Sequence, residues 1–160
     1  MPIVLMRIDD RLVHGQVVEG WLPQIQADLV AVVSDAVSSD DVQSALMKMA
    51  LPPSVGLLVL SVSAAAAALQ DAQTAGRRIL ILVPSPAEAL ALLQNGVAVE
   101  RVNVGGLHYT VGKIQLGRAL FLDEKDKDAL KAIAARGVRL EGRALPADPE
   151  ENLSSILEGR

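Results

Sequence analysis

Short apolar runs alternate with longer amphipathic stretches along the whole chain. The runs have the length of strands and are rich in valine, leucine and isoleucine, which is typical of strands buried on both faces. The predicted strands are Ile3–Ile8, Asp28–Ser34, Leu57–Val62, Arg78–Val83 and Arg101–Val104, with weaker candidates at Ala119–Leu122 and Val138–Arg143.

Helix start and stop signals fill the stretches between these strands. Serine, aspartate or proline stands at several expected starts, and Gly76, Gly96 and Gly137 follow three of the expected ends. The predicted helices are Gly15–Trp21, Ser39–Ala50, Ser63–Ala75, Ser85–Asn95, Asp123–Arg136 and Leu153–Glu158. Strands that alternate with helices through short links predict an α/β fold with a mainly parallel sheet.

Composition narrows the class of protein. The length of 160 residues points to one domain, and the 51% of apolar residues include very few aromatics, so the core is aliphatic. The absence of cysteine excludes disulfides and thiolate chemistry. A net charge of −4 argues against a nucleic-acid or anionic-membrane surface. No signal peptide or membrane span is evident, so we expect a soluble cytoplasmic domain without direct membrane insertion.

The densest polar cluster, Arg7–Gln16, comes directly after the first predicted strand. In a parallel α/β sheet, the loops at the carboxyl ends of strands carry the ligand site. The imidazole of His14 is a good nucleophile near pH 7, and phosphoryl transfer needs mainly positioning and positive charge around the oxygens. Arg11 could supply a bidentate donor, and backbone N–H groups near Gly15 could bind the same oxygens.

The same residues allow plainer interpretations. His14 could be a hydrogen-bonded structural residue, and Arg7 could be a structural partner of Asp9 within the strand and loop. Alternatively, Asp9 or Asp10 could fix the imidazole tautomer of His14 or hold Arg11 in place. A metal site is disfavoured, because the chain has only two histidines and no third ligand is evident.

A second loop, Asn103–His108, follows another predicted strand and contains two glycines. If the sheet places this strand beside the first, His108 could lie near His14 and bind phosphate or help a partner dock; otherwise the glycines simply make a turn. Three further polar residues could line the site but are equally well explained as cap or turn residues: Asp35, Ser61 and Ser63.

The stretch RIDDRLVHGQV resembles the signature loop of the IIB components of the mannose/fructose/sorbose family of the phosphoenolpyruvate-dependent sugar phosphotransferase system. In that family the pattern is Arg-Ile-Asp-x-Arg-Leu-Ile-His-Gly-Gln, so Val13 replaces the usual isoleucine. Other segments resemble the family in the expected order: Trp21, Leu51–Val55, Asn103–His108 and Leu145–Pro149.

The resemblance implies the sorbose-type IIB fold, a single domain over residues 1–160 with an open, mostly parallel β-sheet and helices on both faces. It implies that His14 accepts a phosphoryl group from a phosphohistidine on a IIA protein and passes it to a hexose bound by IIC and IID membrane subunits. No cofactor is implied. Catalysis is expected from His14 and Arg11, and phosphate binding from Asp10, Arg11, Gly15, Gln16 and His108.

The same resemblance bears on partners and on alternatives. The chain begins at its first predicted strand, so we expect the IIA partner to be a separate protein and the chain to associate peripherally with the membrane subunits. Lys113 and Arg118 are surface residues or contacts to an acidic IIA surface. A regulatory module that signals by its phosphorylation is the alternative. A nucleotide-binding domain is disfavoured, because neither G-x-G-x-x-G nor G-x-x-x-x-G-K-[ST] occurs.

Overall fold

Residues 2–117 and 120–158 are described by the structure, a computed structural model. The strands are β1 (Ile3–Asp9), β2 (Leu29–Val33), β3 (Gly56–Leu60), β4 (Ile79–Val83), β5 (Arg101–Gly106), β6 (Ile114–Leu116), β7 (Leu120–Leu122), β8 (Arg139–Gly142) and β9 (Glu151–Asn152). The helices are α1 (Leu22–Ile25), α2 (Asp35–Ser38), α3 (Asp41–Ala50), α4 (Val62–Thr74), α5 (Pro86–Gln94), α6 (Glu124–Ala135) and α7 (Leu153–Leu157), and a π-helical segment, Gln16–Trp21, leads into α1.

The main sheet has the strand order β3-β2-β4-β1-β5-β8-β9, and all of its strands are parallel except β9. Strand β1 lies at the centre, with β2 to β4 on one side and β5, β8 and β9 on the other. The strand order therefore changes direction beside β1, and ligands bind at such a switch point in open α/β sheets. Because β1 pairs directly with β5, the loops that follow these two strands are neighbours.

Each face of the sheet carries its own apolar core, so the expectation of helices on both faces is confirmed. On one face, α4 to α7 pack on alternate strand residues such as Met6 and Ile81. On the other face, the π-helical segment and α1 to α3 pack on residues such as Val30 and Leu82. The second face turns polar over the carboxyl half of β1 and over β5 and β8, where buried Arg7, Asn103 and Glu141 replace apolar side chains.

The predicted strands and helices are confirmed within a few residues at their ends. The three helix-ending glycines, Gly76, Gly96 and Gly137, adopt positive φ angles of 78°, 97° and 82°, which a residue with a Cβ rarely adopts. The predicted strand Ala119–Leu122 appears as β7, but it pairs with β6 in a separate antiparallel hairpin, and Ala119 lies outside the described residues. Four short elements, α1, α2, β6 and β9, were not predicted from the sequence.

No helix in the described part of the chain has both the length and the apolar character that crossing a membrane requires.

Candidate functional site

The turn after β1 places His14 over the carboxyl end of the sheet. Leu12 adopts a left-handed backbone conformation, φ 57°, and its N–H donates to the carbonyl of Asp9 at 3.0 Å. Such a conformation costs about 1–3 kcal/mol for a residue with a Cβ, and here the Leu12 side chain is buried in the core beside Trp21. The carbonyl of His14 then accepts from Val17 and Val18, which starts the π-helical segment.

A buried carboxylate orients the His14 ring. Oδ2 of Asp9 lies 2.7 Å from Nε2 of His14, and its Oδ1 accepts from the Arg11 N–H at 3.0 Å. An ionised carboxylate can only accept, so Nε2 carries the proton and Nδ1 keeps its lone pair. Asp9 is also paired with Arg7, whose Nη2 donates to Oδ2 at 3.0 Å. Both side chains of this ion pair are buried, and the expectation that they are structural partners is confirmed.

Arg7 begins a row of polar side chains that crosses three strands. The register places Arg7 beside Asn103, and Asn103 beside Glu141. Nη1 of Arg7 donates to Oδ1 of Asn103 at 2.7 Å, and Nδ2 of Asn103 faces Oε1 of Glu141 at 3.4 Å. Two arginines in turn hold Glu141: Arg143 at 3.1 Å and Arg101 at 3.4 Å.

Trp21 covers this row. The guanidinium carbons of Arg7 and Arg143 each lie 5.3 Å from the centroid of its ring, within the range of a cation–π contact. Its indole N–H donates to the carbonyl of Ala144 at 2.8 Å. Burial lowers the pKa of Arg7 below its ordinary value, and the charge and hydrogen bonds of Asp9 oppose that shift.

The second loop meets the first. His108 donates its backbone N–H to Oδ2 of Asp10 at 2.7 Å, and its Nδ1 lies 2.5 Å from Oδ1 of the same carboxylate. The Asp10 N–H donates to the carbonyl of Gly106 at 3.0 Å. A methyl group placed on Gly106 would lie about equally close to the Asp9 carboxylate and to Cε1 of His108, at 3.5 and 3.6 Å. The sequence-predicted residues of the two loops therefore form one cluster.

The outer side of the cluster offers unused donors. Arg11 is exposed, and no side chain or carbonyl in the described ranges accepts from its guanidinium. Likewise, within residues 2–117 and 120–158 nothing accepts from the backbone N–H groups of Val13, His14, Gly15 and Gln16. A Cβ added to Gly15 would meet no atom within 4 Å, so the space above this turn is open. One cation and four N–H groups of the turn that carries His14 thus have no acceptor among the described residues.

Other sequence candidates lie in local contacts elsewhere. Oγ of Ser61 accepts from the Ala64 N–H at 3.3 Å at the start of α4 and lies 3.3 Å from Oγ of Ser63. The interpretation of Ser61 as a helix cap is confirmed. Asp35 also contacts the start of α4, where it accepts from the Val62 N–H at 2.8 Å.

Lys113 pairs with Asp126 at 3.4 Å, and Arg118 lies outside the described residues. Over the described ranges, no group of three or more histidine, aspartate or glutamate side chains is arranged to hold a metal ion.

Sequence reasoning missed the buried row beneath the site. It treated Asn103 as part of a turn and did not single out Glu141 and Arg143. A signal was present, because polar residues occupy alternate positions of otherwise apolar strands. In a strand, alternate residues share one face.

The chain matches a family and several relatives over nearly its whole length. The model of the PTS system sorbose subfamily IIB component matches residues 3–160. The PTS system sorbose-specific EIIB component of Lacticaseibacillus casei is 33% identical over 158 residues, which cover 99% of this chain and 96% of that protein. The PTS system mannose-specific EIIAB component of Escherichia coli K12 is 37% identical over 157 residues, which are 98% of this chain. This chain spans only 49% of that protein.

A solved structure agrees with the sequence relatives. The crystal structure of the IIBSor domain of the sorbose permease from Klebsiella pneumoniae superposes with a TM-score of 0.93 and 33% identity, and the match covers 99% of this chain and 98% of that one. The fold, the cluster at the carboxyl ends of β1 and β5, and these relatives agree with one another. The chain belongs to the sorbose subfamily of IIB components of the sugar phosphotransferase system.

Proposed function

We propose that the chain is a phosphoryl carrier that uses Nδ1 of His14. In this proposal the imidazole accepts a phosphoryl group from a phosphohistidine on a IIA protein and passes it to a hexose held by IIC and IID membrane subunits. The observation that carries the proposal is the contact of Asp9 with Nε2, which leaves the lone pair of Nδ1 for phosphorus. No described residue bonds to Nδ1.

The transfer balances with the groups at hand. The Nδ1 lone pair forms a bond to phosphorus while the donor's P–N bond breaks, and that electron pair returns to the donor imidazole. The phosphorylated ring of His14 keeps its proton on Nε2 and is therefore cationic, so the Asp9 carboxylate stabilises it. In the second step a sugar hydroxyl oxygen attacks phosphorus, the P–N pair returns to Nδ1, and the hydroxyl proton passes to water or to a base on the sugar-binding subunit.

Positive charge and N–H donors stabilise the transferring group. Arg11 is the free cation nearest to His14 in sequence, and its guanidinium matches two phosphoryl oxygens at once. The N–H groups of residues 13–16 can bind the remaining oxygens, with Gly15 leaving room and Gln16 able to add a side-chain amide. Catalysis here depends on positioning and electrostatics, because phosphoryl transfer needs little further covalent chemistry.

His108 and Asp10 have different parts in this proposal. A carboxylate repels a phosphoryl group, so Asp10 acts by holding His108 at the edge of the site rather than by binding phosphate itself. With its Nδ1 held by Asp10, His108 meets a phosphoryl oxygen through its other ring nitrogen, Nε2, as a hydrogen-bond donor.

The names of the relatives support the IIA partner and the substrate class. The name of the E. coli relative joins an A and a B component, in keeping with a IIA phosphodonor for this chain. Relatives are named for mannose, sorbose and fructose, which supports a hexose as the final acceptor. In this proposal the chain works at the cytoplasmic face of the membrane, between a IIA donor and the membrane subunits.

The test is labelling with phosphoenolpyruvate, the general phosphotransferase proteins and a IIA donor. The unaltered chain should become labelled and His14→Ala should not, whereas the control His108→Ala still becomes labelled, because the proposal puts the phosphoryl group on His14 and gives His108 only a contact with one of its oxygens. Equal labelling of His14→Ala and the unaltered chain would remove His14 as the carrier.

A further inference from the structure

We infer that Arg7, which is fully buried beneath the site, is a positioning residue that fixes the tautomer and orientation of the His14 ring through Asp9. This inference rests on the proposed role of His14 and extends it to a side chain buried in the sheet. The path runs from Nη2 of Arg7 to Oδ2 of Asp9 at 3.0 Å, and from the same oxygen to Nε2 of His14 at 2.7 Å.

The Asp9 carboxylate is held from two directions. Nε and Nη2 of Arg7 donate to Oδ2 at 3.3 and 3.0 Å, and the backbone N–H of Arg11 donates to Oδ1 at 3.0 Å. Two N–H groups of one rigid guanidinium fix the position of Oδ2, and the Arg11 N–H on Oδ1 completes the orientation of the carboxylate. The lone pair that faces His14 is therefore aimed by Arg7.

Arg7 is itself held rigidly. Its Nη1 donates to Oδ1 of Asn103 at 2.7 Å and to the carbonyl of Arg143 at 3.1 Å. Glu141 orients the Asn103 amide, because its carboxylate faces Nδ2 and leaves Oδ1 for Arg7. No rotation of the guanidinium would keep its bonds to Asp9 together with its bonds to Asn103 and to the Arg143 carbonyl.

The backbone of β5 is shaped around the guanidinium. A Cβ at Gly105 would collide with Cζ, Nη1 and Nη2 of Arg7. Gly105 is fully buried, and its φ does not lie in the left-handed region, so the reason for glycine here is space and not backbone conformation. An alanine at this position displaces the guanidinium without removing its charge, which provides a second probe of the same contact.

If Arg7 had only a structural role, its replacement would have a different effect on the tautomer of His14. If Arg7 only neutralised Asp9 in the interior, its removal would lower stability and leave the His14 ring in one tautomer. If Arg7 aims Asp9, its removal lets the carboxylate turn, and the imidazole can then present either nitrogen to it. The tautomer of His14 separates the two roles, and its measurement needs no phosphoryl donor.

The experiment combines ¹⁵N NMR of the histidine rings with phosphoryl uptake. In the unaltered chain, His14 should show a single tautomer with a slowly exchanging Nε2–H. Arg7→Met should mix the two tautomers, lose that proton signal and slow uptake by about 10–100-fold, the range for orienting groups behind a reactive one. Gly105→Ala should act in the same way, and Arg7→Lys should recover part of the rate.

The matched control is Arg101→Met, which breaks the 3.4 Å pair with Glu141 in the same row but touches neither Asp9 nor Arg7. It should keep the His14 tautomer and the uptake rate. A single unchanged tautomer and unchanged uptake in Arg7→Met would overturn the inference. If Arg7→Met does not fold, an unchanged tautomer and unchanged uptake in both Arg7→Lys and Gly105→Ala would overturn it instead. If the unaltered chain shows the expected tautomer but takes up no phosphoryl group, the carrier proposal fails and the positioning of the ring stands.

Discussion

Replacement of Asp9 by asparagine tests the site at its most connected atom. Oδ2 of Asp9 meets three nitrogens, two from Arg7 and one from His14, while Oδ1 meets the Arg11 N–H. An asparagine has one oxygen and one NH₂ group at the positions of the two carboxylate oxygens. Its NH₂ group is a donor and must therefore face at least one other donor. If the NH₂ group faces His14, Nε2 has to become the acceptor, and the proton moves to Nδ1.

Two separate losses follow from this change. The proton on Nδ1 blocks the nucleophile, and we expect phosphoryl uptake to fall by on the order of 10³–10⁴, as when a carboxylate that orients a catalytic histidine becomes an amide. The guanidinium of Arg7, with no exposed surface, loses its counter-ion, and breaking a buried pair costs about 3–5 kcal/mol in the free energy of unfolding. That is a large part of the roughly 5–15 kcal/mol that typically stabilises a domain.

The double variant Asp9→Asn with Arg7→Met separates these losses. Removing both charges takes away the orphaned guanidinium, so urea unfolding should show most of the stability recovered. Phosphoryl uptake by the double variant, measured with radiolabelled phosphoenolpyruvate, should stay as low as in Asp9→Asn. Uptake within about threefold of the unaltered chain in a folded Asp9→Asn would refute the reasoning, because the loss expected is on the order of 10³ or more.

Three further outcomes can be measured in the same assays. Arg11→Ala should slow uptake by about 10²–10³, the usual loss for one donor to a developing charge. It should change the free energy of unfolding by no more than about 0.5 kcal/mol, because this side chain is exposed and unpartnered among the described residues. Equal losses of folding and uptake would contradict this expectation, and Arg11→Lys is the matched control. Ser61→Ala should lower the free energy of unfolding by about 1 kcal/mol in urea titrations and leave uptake unchanged, because Ser61 caps α4, so a slower uptake would point to phosphate contact instead. His108→Gln should slow uptake by about tenfold without abolishing it, roughly the effect of one lost hydrogen bond to a charged group, and complete loss would mean that His108 itself carries the phosphoryl group.

The sequence predicts the parts of the site that lie on one stretch of chain. The loop Arg7–Gln16 follows an apolar strand, and that position alone places His14 and Arg11 at the carboxyl edge of a parallel sheet. The sequence left open whether Asp9 or Asp10 serves the imidazole. The structure puts Asp9 on His14 and Asp10 on His108, because β1 extends through Asp9 and the turn begins after it.

The parts that depend on strand order could not be predicted from apolar periodicity. That β5 lies beside β1, and β8 beside β5, is decided by the packing of the whole sheet, and only this order brings Arg7, Asn103 and Glu141 into one row. The hairpin of β6 with β7 was not predicted from the sequence for another reason. Its strands have three residues each, which is too short to show a period of two.

In the proposed function, phosphorus binds one nitrogen of one histidine. The chain, phosphorylated by its IIA donor, should be examined by ³¹P and ¹⁵N NMR at alkaline pH, with mass-spectrometric mapping of the modified peptide. We expect a single phosphohistidine at His14, bonded through Nδ1, with the proton on Nε2 next to Asp9. A phosphoryl group on Nε2 of His14, or on His108, would contradict the account.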